Sequence, residues 1–244
     1  MSRDIWLLVG KELRQLTRNR NAAVSGVLMP LIFLIIVPWI QLGATAGSSG
    51  GAIIGTPLPG LNSIGNVKQI FLYLVFPLFY ALCGLLTPGI SATYTIVAER
   101  EQHTIELLMA LPVTTRQILV AKVTSNLVAA MAVTIPLFIV NAILVQVKTG
   151  AGLGYIVSAF VLLLSALACS VGIGLLLALL ARDVRTAGNL TPAWLFPTMA
   201  LVAICVLFVP GLWRFYVLAA LLLLALAGML AICFRWLTFE RFIA

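Results

Sequence analysis

The sequence predicts an all-α membrane protein with six transmembrane helices, an N-terminal amphipathic interfacial helix and a short cytoplasmic helix between helices 2 and 3. Hydrophobic residues make up 62% of the 244 residues and charged residues only 9%, with a mean hydropathy of +1.15. Soluble domains carry roughly 25% charged residues. Because no long polar insert interrupts the chain, residues 1–244 are expected to form a single transmembrane domain.

Six apolar stretches define the predicted spans, and each is near or above the roughly 20 residues that a helix needs to cross a bilayer. At about 1.5 Å per residue the second stretch extends about 43 Å, beyond the roughly 30 Å hydrocarbon core, so it must tilt or project into the cytoplasm. The stretches cover residues 22–42, 69–97, 118–147, 153–181, 189–209 and 213–237.

The basic residues predict the orientation of these spans. If the N-terminus is cytoplasmic, twelve of the fifteen basic residues fall on the inner side, as the positive-inside rule requires. Both termini are therefore expected in the cytoplasm, and the net charge of +8 reflects orientation rather than binding of nucleic acid. The three basic residues on the outer side are Lys68, Lys148 and Arg214.

Residues 1–20 place apolar side chains on one helical face and basic side chains elsewhere. This pattern is typical of a helix that lies on the cytoplasmic leaflet of the lipid bilayer, with its cations toward anionic headgroups. The alternative is an ordinary basic flank of the first span. The residues of the predicted apolar face are Ile5, Leu8, Val9, Leu13 and Leu16.

The outer connection, residues 43–68, is rich in Gly, Ser and Pro and contains two weak motif matches. Gly47 to Gly51 fits G-x-S-x-G, but a serine nucleophile needs a base within reach, and the single histidine, His103, is predicted on the opposite side of the membrane. Gly55 and Gly60 have P-loop spacing, but Leu-Asn follows where Lys-Ser/Thr would bind phosphate. The chain is therefore expected to have no nucleotide-binding site of its own.

Prolines and small residues inside the spans leave two questions open. Pro77 and Pro88 can bend the second span, which fits either a gating motion or simple packing. In the fourth span, Ala168-x-x-x-Gly172 and similar pairs have the spacing of close helix contacts, within the subunit or across a dimer. The four cysteines lie one in each of four spans and are expected to act as small packing residues.

A polar segment between the second and third spans, residues 97–122, interrupts the apolar pattern. It contains Glu99, Arg100, Glu101 and Glu106. Placing these four charges at mid-bilayer would cost on the order of 10 kcal/mol, at about 2.5–3.5 kcal/mol each. The segment must therefore lie in water, and the charge count places it on the cytoplasmic side.

This segment divides into a short helix and the start of the third span. Ile105, Leu108, Met109 and Pro112 follow an i, i+3, i+4, i+7 pattern on a helix that ends at the proline. Thr114 with Gln117 then forms a capping box for the third span. The helix is either a solvated connection or a rigid projection that inserts into a groove on a cytoplasmic partner.

The run from Ala98 to Lys122, AEREQHTIELLMALPVTTRQILVAK, resembles the signature of ABC-2 type transporter permeases. The amphipathic start, the six spans and the RWLTFER ending at Arg235 to Arg241 extend the likeness over most of the chain. Two positions depart from the family pattern. His103 replaces the usual glycine, and the re-entrant stretch before the last span is reduced to residues 209–213.

The resemblance implies a permease subunit of an ATP-driven transporter, an exporter of amphipathic or hydrophobic substrates, in the prokaryotic inner or plasma membrane. It implies two copies of a separate ABC ATPase subunit, which bind ATP and Mg²⁺, and a second permease as homodimer or related heterodimer. The chain itself is expected to bind no cofactor or metal and to catalyse no reaction. The implied ATPase-coupling residues are Glu99, Arg100, Glu101, His103, Thr104, Ile105, Glu106, Leu108, Met109 and Pro112.

Two other functions fit the sequence less well. An intramembrane serine hydrolase of the rhomboid type lacks a base on the correct side, as noted above. An ion-coupled secondary transporter needs ionisable or carbonyl-rich sites near mid-membrane, and none of the seven acidic residues falls inside a predicted span. A pathway between subunits could instead be lined by Asn126, Asn141, Tyr80 or Tyr94.

Overall fold

The computed structural model describes residues 20–44, 67–101, 115–180 and 184–236, and within these ranges the chain is helical apart from short connections. This confirms the predicted all-α class. Two π-helical turns are continuous with the helices on either side of them. The elements are α1 (Arg20–Leu31), a π-helical turn (Ile32–Ile36), α2 (Val37–Ala44), α3 (Val67–Ile70), a second π-helical turn (Phe71–Val75), α4 (Phe76–Glu101), α5 (Thr115–Thr149), α6 (Leu153–Leu180), α7 (Val184–Phe208) and α8 (Trp213–Trp236).

Five helical segments of the described chain are long and apolar enough to cross a membrane, and they overlap five of the predicted spans. The remaining predicted span, 189–209, lies in α7, whose apolar part is the shorter segment Ala193–Phe208. A sixth crossing therefore stays a prediction, while the multi-pass character is clear. The five segments are Gly26–Gly43, Phe71–Pro88, Val123–Thr149, Leu153–Gly174 and Trp213–Ala231.

The fourth predicted span, α6, is the central helix of the bundle. In its apolar segment 67% of the residues are buried, against 22% to 28% in the segments of the first, third and last predicted spans. It packs most extensively against α4 and next against α8. A helix that is apolar on all sides suits this position, because neighbouring helices cover it all round. Its fully covered side chains include Leu162, Leu163, Ala166, Leu167 and Cys169.

Small residues of α6 let its neighbours approach closely within the same chain. A Cβ added to Gly84 of α4 would lie 2.5 Å from the Cβ of Ala166 and 3.1 Å from the carbonyl oxygen of Leu163. A Cβ added to Gly172 would overlap the side chain of Leu226 in α8. The small-residue spacing seen in the sequence therefore serves contacts inside the subunit at these two positions.

Two glycines with positive φ form the connections at one end of the bundle. Gly150 (φ 71°) follows α5, and its N–H donates to the carbonyl of Gln146 at 2.9 Å, as in the αL motif that ends many helices. Gly211 (φ 61°) lies in the turn between α7 and α8. Glycine adopts this conformation without the Cβ clash of other residues, so both helices can end sharply.

Several hydroxyl side chains in the apolar helices bond to the backbone of their own helix. Thr87 donates to the carbonyl of Cys83 at 2.7 Å, Thr134 to that of Ala130 at 2.6 Å, and Ser158 to that of Tyr155 at 2.8 Å. A hydroxyl without a partner in hydrocarbon is costly, and bonding within the helix avoids that cost.

The close contact between α4 and α6 gives a testable prediction. Gly84→Ala should lower the thermal midpoint of the purified chain in nanodiscs, because overpacking of this kind costs about 1–3 kcal/mol. Gly228→Ala is the matched control, since Gly228 also lies inside a helix, α8, and a Cβ there meets nothing within 4 Å. Equal midpoints for the two variants would contradict the packing described here.

Candidate functional site

The candidate coupling residues lie at and beyond the end of α4. Glu99, Arg100 and Glu101 are the last three residues of this helix. The other seven, His103, Thr104, Ile105, Glu106, Leu108, Met109 and Pro112, lie outside the described residues, as do the predicted interfacial residues Ile5, Leu8, Val9, Leu13 and Leu16. The described chain therefore fixes the two helices that flank the candidate site, and the roles of these residues stay predictions.

The flanking helices α4 and α5 are long and both join the bundle. α4 runs for 26 residues to Glu101, and α5 runs for 35 residues from Thr115, directly after the predicted capping residue Thr114. At about 1.5 Å per residue these helices extend about 39 Å and about 52 Å. A displacement of the segment between them, residues 102–114, would act on both helices.

α4 is held firmly by its neighbours in the part that packs against α6. Phe76, Ala81, Cys83 and Leu85 are fully buried, and Ser170 of α6 donates a hydrogen bond to the carbonyl of Leu85. Because the acceptor is a main-chain carbonyl, this hydrogen bond holds the backbone of α4 directly. α4 and α6 therefore form the most firmly joined pair in the bundle.

The first span contains a break at the π-helical turn Ile32–Ile36 and the following Pro38, which we call the Pro38 break. The N–H of Val37 donates to the carbonyl of Ile32, five residues back, and Pro38 has no N–H to offer the carbonyl of Leu34. The side-chain amide of Asn141 in α5 donates to that carbonyl instead. A fully buried residue of α5 thus replaces the missing helical hydrogen bond.

The second span repeats this arrangement at the π-helical turn Phe71–Val75 and Pro77, which we call the Pro77 break. The N–H of Phe76 donates to the carbonyl of Phe71, and Pro77 cannot serve the carbonyl of Tyr73. The guanidinium of Arg214 in α8 donates to the Tyr73 carbonyl, and the hydroxyl of Tyr155 donates to the adjacent Leu72 carbonyl at 2.9 Å.

Arg214 is enclosed at this break. Its side chain is 0% exposed, its Nε donates to the carbonyl of Gly211 at 3.0 Å, and its guanidinium lies 5.6 Å from the centre of the Tyr73 ring. The Tyr155 ring stands edge-on to both Tyr73 and Phe215, at 6.0 and 5.3 Å between centres. Carbonyls and an aromatic face stabilise a cation that burial would otherwise disfavour.

The two breaks are joined through one amide. Asn141 accepts a hydrogen bond from the hydroxyl of Tyr80 at 2.7 Å, and Tyr80 follows Pro77 in α4. Asn141 therefore contacts the first span and α4 at once. Tyr80 and Asn141 were expected as possible residues of a pathway between subunits, but at 2% and 0% exposure they lie inside this chain.

Arg214 is a functional candidate that the charge count does not reveal, because its position in the sequence predicts only a flanking cation on the outer side. The signal was present in the second span, since a proline at 77 removes the donor for residue 73. Sequence alone could show that some donor was needed but not which helix supplied it.

The described residues contain few of the groups that metal binding or hydrolysis would require. Among the residues of ranges 20–44, 67–101, 115–180 and 184–236 there is no group of three or more His, Cys, Asp or Glu that could hold a metal ion. Cys83, Cys169 and Cys205 are free thiols. The serines of the G-x-S-x-G match, residues 47–51, lie outside the described residues.

Comparison with known proteins identifies the family. The model of the ABC-2 family transporter protein matches residues 6–217, a range that contains the polar segment 97–122, both breaks and Arg214. No curated protein and no solved structure matches the chain. Since the match covers most of the sequence and the fold is a bundle of apolar helices, the chain belongs to the ABC-2 family and is a membrane permease subunit of an ABC transporter.

Proposed function

We propose that this permease couples ATP hydrolysis by a separate ATPase subunit to the export of an amphipathic or hydrophobic substrate. The observation that carries the proposal is the family match over residues 6–217, which includes the polar segment between α4 and α5. Family membership implies an ATPase partner. The direction of transport and the chemistry of the cargo are our inference.

The coupling helix of the proposed mechanism is the amphipathic stretch from Thr104 to Leu111. Movement of the ATPase would displace this helix, and α4 and α5 would carry the displacement into the bundle. The length of both helices supports this route. So does the firm attachment of α4 to α6, because a displaced α4 must move α6 or slide along it.

The proposed assembly contains two ATPase copies and a second permease, either identical or related. Large apolar side chains on the outside of the described helices would face lipid or this second permease; examples are Ile143 at 58%, Ile204 at 57% and Leu224 at 69% exposure. We place both termini in the cytoplasm of a prokaryotic inner or plasma membrane, on the strength of the charge distribution.

An apolar or amphipathic cargo follows from the character of the spans. No acidic residue lies inside any of the five candidate spans of the described chain. Ion-coupled transport relies on such residues, so the driving force is proposed to come from outside the bilayer. A substrate that partitions into lipid would reach the permease without a strongly charged binding site.

Co-purification tests the coupling helix. Leu108→Gln should reduce the amount of ATPase that co-purifies with the tagged permease from nanodiscs by about tenfold or more, because burying a leucine contributes about 1.5–3 kcal/mol and 1.4 kcal/mol corresponds to tenfold in affinity. Leu107→Gln is the control, since the spacing of the sequence predicts residue 107 off the apolar face. Failure of the unmodified chain to capture any ATPase, or to support ATP-dependent transport beside one, would refute the proposed function.

Thiol labelling tests the orientation and the sixth crossing. In a chain whose four cysteines are replaced by alanine, Leu212→Cys, after α7, should react with a membrane-impermeant reagent from outside the cell, and Thr186→Cys, at the start of α7, only after the membrane is opened. Both positions are exposed in the structure. Reaction of both from the same side would show that the orientation or the number of crossings between them is wrong.

A further inference from the structure

The Pro38 break and the Pro77 break are built in the same way. In each, a π-helical turn ends two residues before a proline, and the carbonyl four residues before that proline accepts a hydrogen bond from a distant side chain. Pro30, Pro88 and Pro136 lie inside helices that stay α-helical. The breaks are thus particular to two sites and are not a general effect of proline in this chain.

The side chains that close the breaks come from other helices. The bond from Asn141 to Leu34 joins residues 107 apart, and the bond from Arg214 to Tyr73 joins residues 141 apart. If the donor to the free carbonyl came from the same helix, movement of the neighbouring helices would not break that hydrogen bond. A break closed by another helix can open when the two helices separate, since the donor moves away with its helix.

The Pro77 break lies where the proposed coupling movement would arrive. α4 is continuous from Phe76, next to the break, to Glu101, next to the polar segment. α4 keeps its α-helical form through Pro88, whereas the π-helical turn at Phe71–Val75 and Pro77 interrupt the regular α-helical hydrogen bonding. Angular change between α4 and the start of the second span would therefore concentrate at this break.

We propose that the Pro77 break is the hinge of the second span and that Arg214 is the latch that holds it in the conformation seen here, with Asn141 holding the Pro38 break in the same way. Opening the hinge requires the Tyr73 carbonyl to leave the guanidinium. The bond between Tyr80 and Asn141 transmits movement of α4 to the first span, so the two breaks open together. The proposal rests on the proposed function only for the force that opens the hinge.

Hydrogen–deuterium exchange of the purified chain in nanodiscs tests the latch without any ATPase. Arg214→Gln should accelerate exchange at the amides of residues 73–79 by roughly tenfold or more, because a hydrogen bond from a charged group is lost and local opening becomes easier. Exchange in α6 should stay unchanged. Lys148→Gln is the matched control, as it removes an exposed cation that touches neither break. No acceleration at residues 73–79, or equal acceleration in α6, would overturn the proposal.

A second variant tests the chemical reason for the latch. Pro77→Ala supplies the missing N–H, so the Tyr73 carbonyl gains a donor from its own helix. In this background Arg214→Gln should change exchange at residues 73–79 by less than roughly threefold. An effect as large as in the parent chain would show that Arg214 does not act on the carbonyl that Pro77 leaves free, and the latch would be wrong. Asn141→Leu with Pro38→Ala gives the same comparison for residues 34–40.

Exchange measurements on the permease with its ATPase bound distinguish failure of the latch from failure of the proposed function. With the ATPase bound, addition of ATP and vanadate should raise exchange at residues 73–79 in the parent chain several-fold, and an unchanged rate would overturn the hinge. Co-purification of the ATPase is measured on the same samples. If the permease binds the ATPase but Arg214→Gln leaves exchange at residues 73–79 unchanged, the latch alone is refuted. If Arg214→Gln accelerates that exchange but no ATPase co-purifies, the proposed function alone is refuted.

Discussion

The structure depends on one constraint, which is that every main-chain carbonyl inside an apolar helix needs a donor where no water is available. Proline breaks this rule locally because it has no N–H. At residues 38 and 77 the consequence reaches across the molecule. The Leu34 carbonyl requires α5 to present Asn141, and the Tyr73 carbonyl requires α8 to present Arg214. Two prolines in the first two spans thus help to determine where the later helices lie.

The same constraint explains how the bundle holds together without a hydrophobic driving force between helices. Side chains that bond to carbonyls of neighbouring helices supply part of the attraction, as Ser170 does at Leu85 and Tyr155 at Leu72. Close packing supplies the rest. α4 and α6 approach each other where Gly84 faces Ala166, so dispersion contacts are dense where the serine bond also forms.

The fold class was predictable from the sequence because hydropathy and charge act over long stretches. Five apolar segments lie where the sequence predicts them. α7 is harder to assign, because its first part carries Arg185 and Asn189 and only Ala193–Phe208 is apolar. Hydropathy does not decide whether such a helix crosses the bilayer.

The contacts that matter most for the candidate mechanism were not predictable from the sequence. Spacing of small residues in α6 predicts close approach but does not name α4 and α8 as the neighbours. A charge count treats Arg214 as a flanking cation, and only the three-dimensional arrangement shows it enclosed beside Tyr73. Pairings between residues more than a hundred positions apart leave no local pattern. The polar segment 97–122 carries the family resemblance, whereas the contacts of the described residues lie at the opposite end of α4, around the Pro77 break.

A latch made from a cation and a carbonyl suits a helix that must move. An ion pair separated in hydrocarbon would leave two uncompensated charges, at a cost that would hold it closed. When Arg214 leaves the Tyr73 carbonyl, one neutral acceptor is exposed, and the guanidinium keeps the Gly211 carbonyl, which lies one turn away on its own chain. Opening the Pro77 break then loses one hydrogen bond with a charged partner, about 1.5–3 kcal/mol, and the linked opening of the Pro38 break loses one neutral bond, about 0.5–1.5 kcal/mol. A difference of that size holds one conformation at rest, and in the proposed mechanism the movement of the ATPase overcomes it.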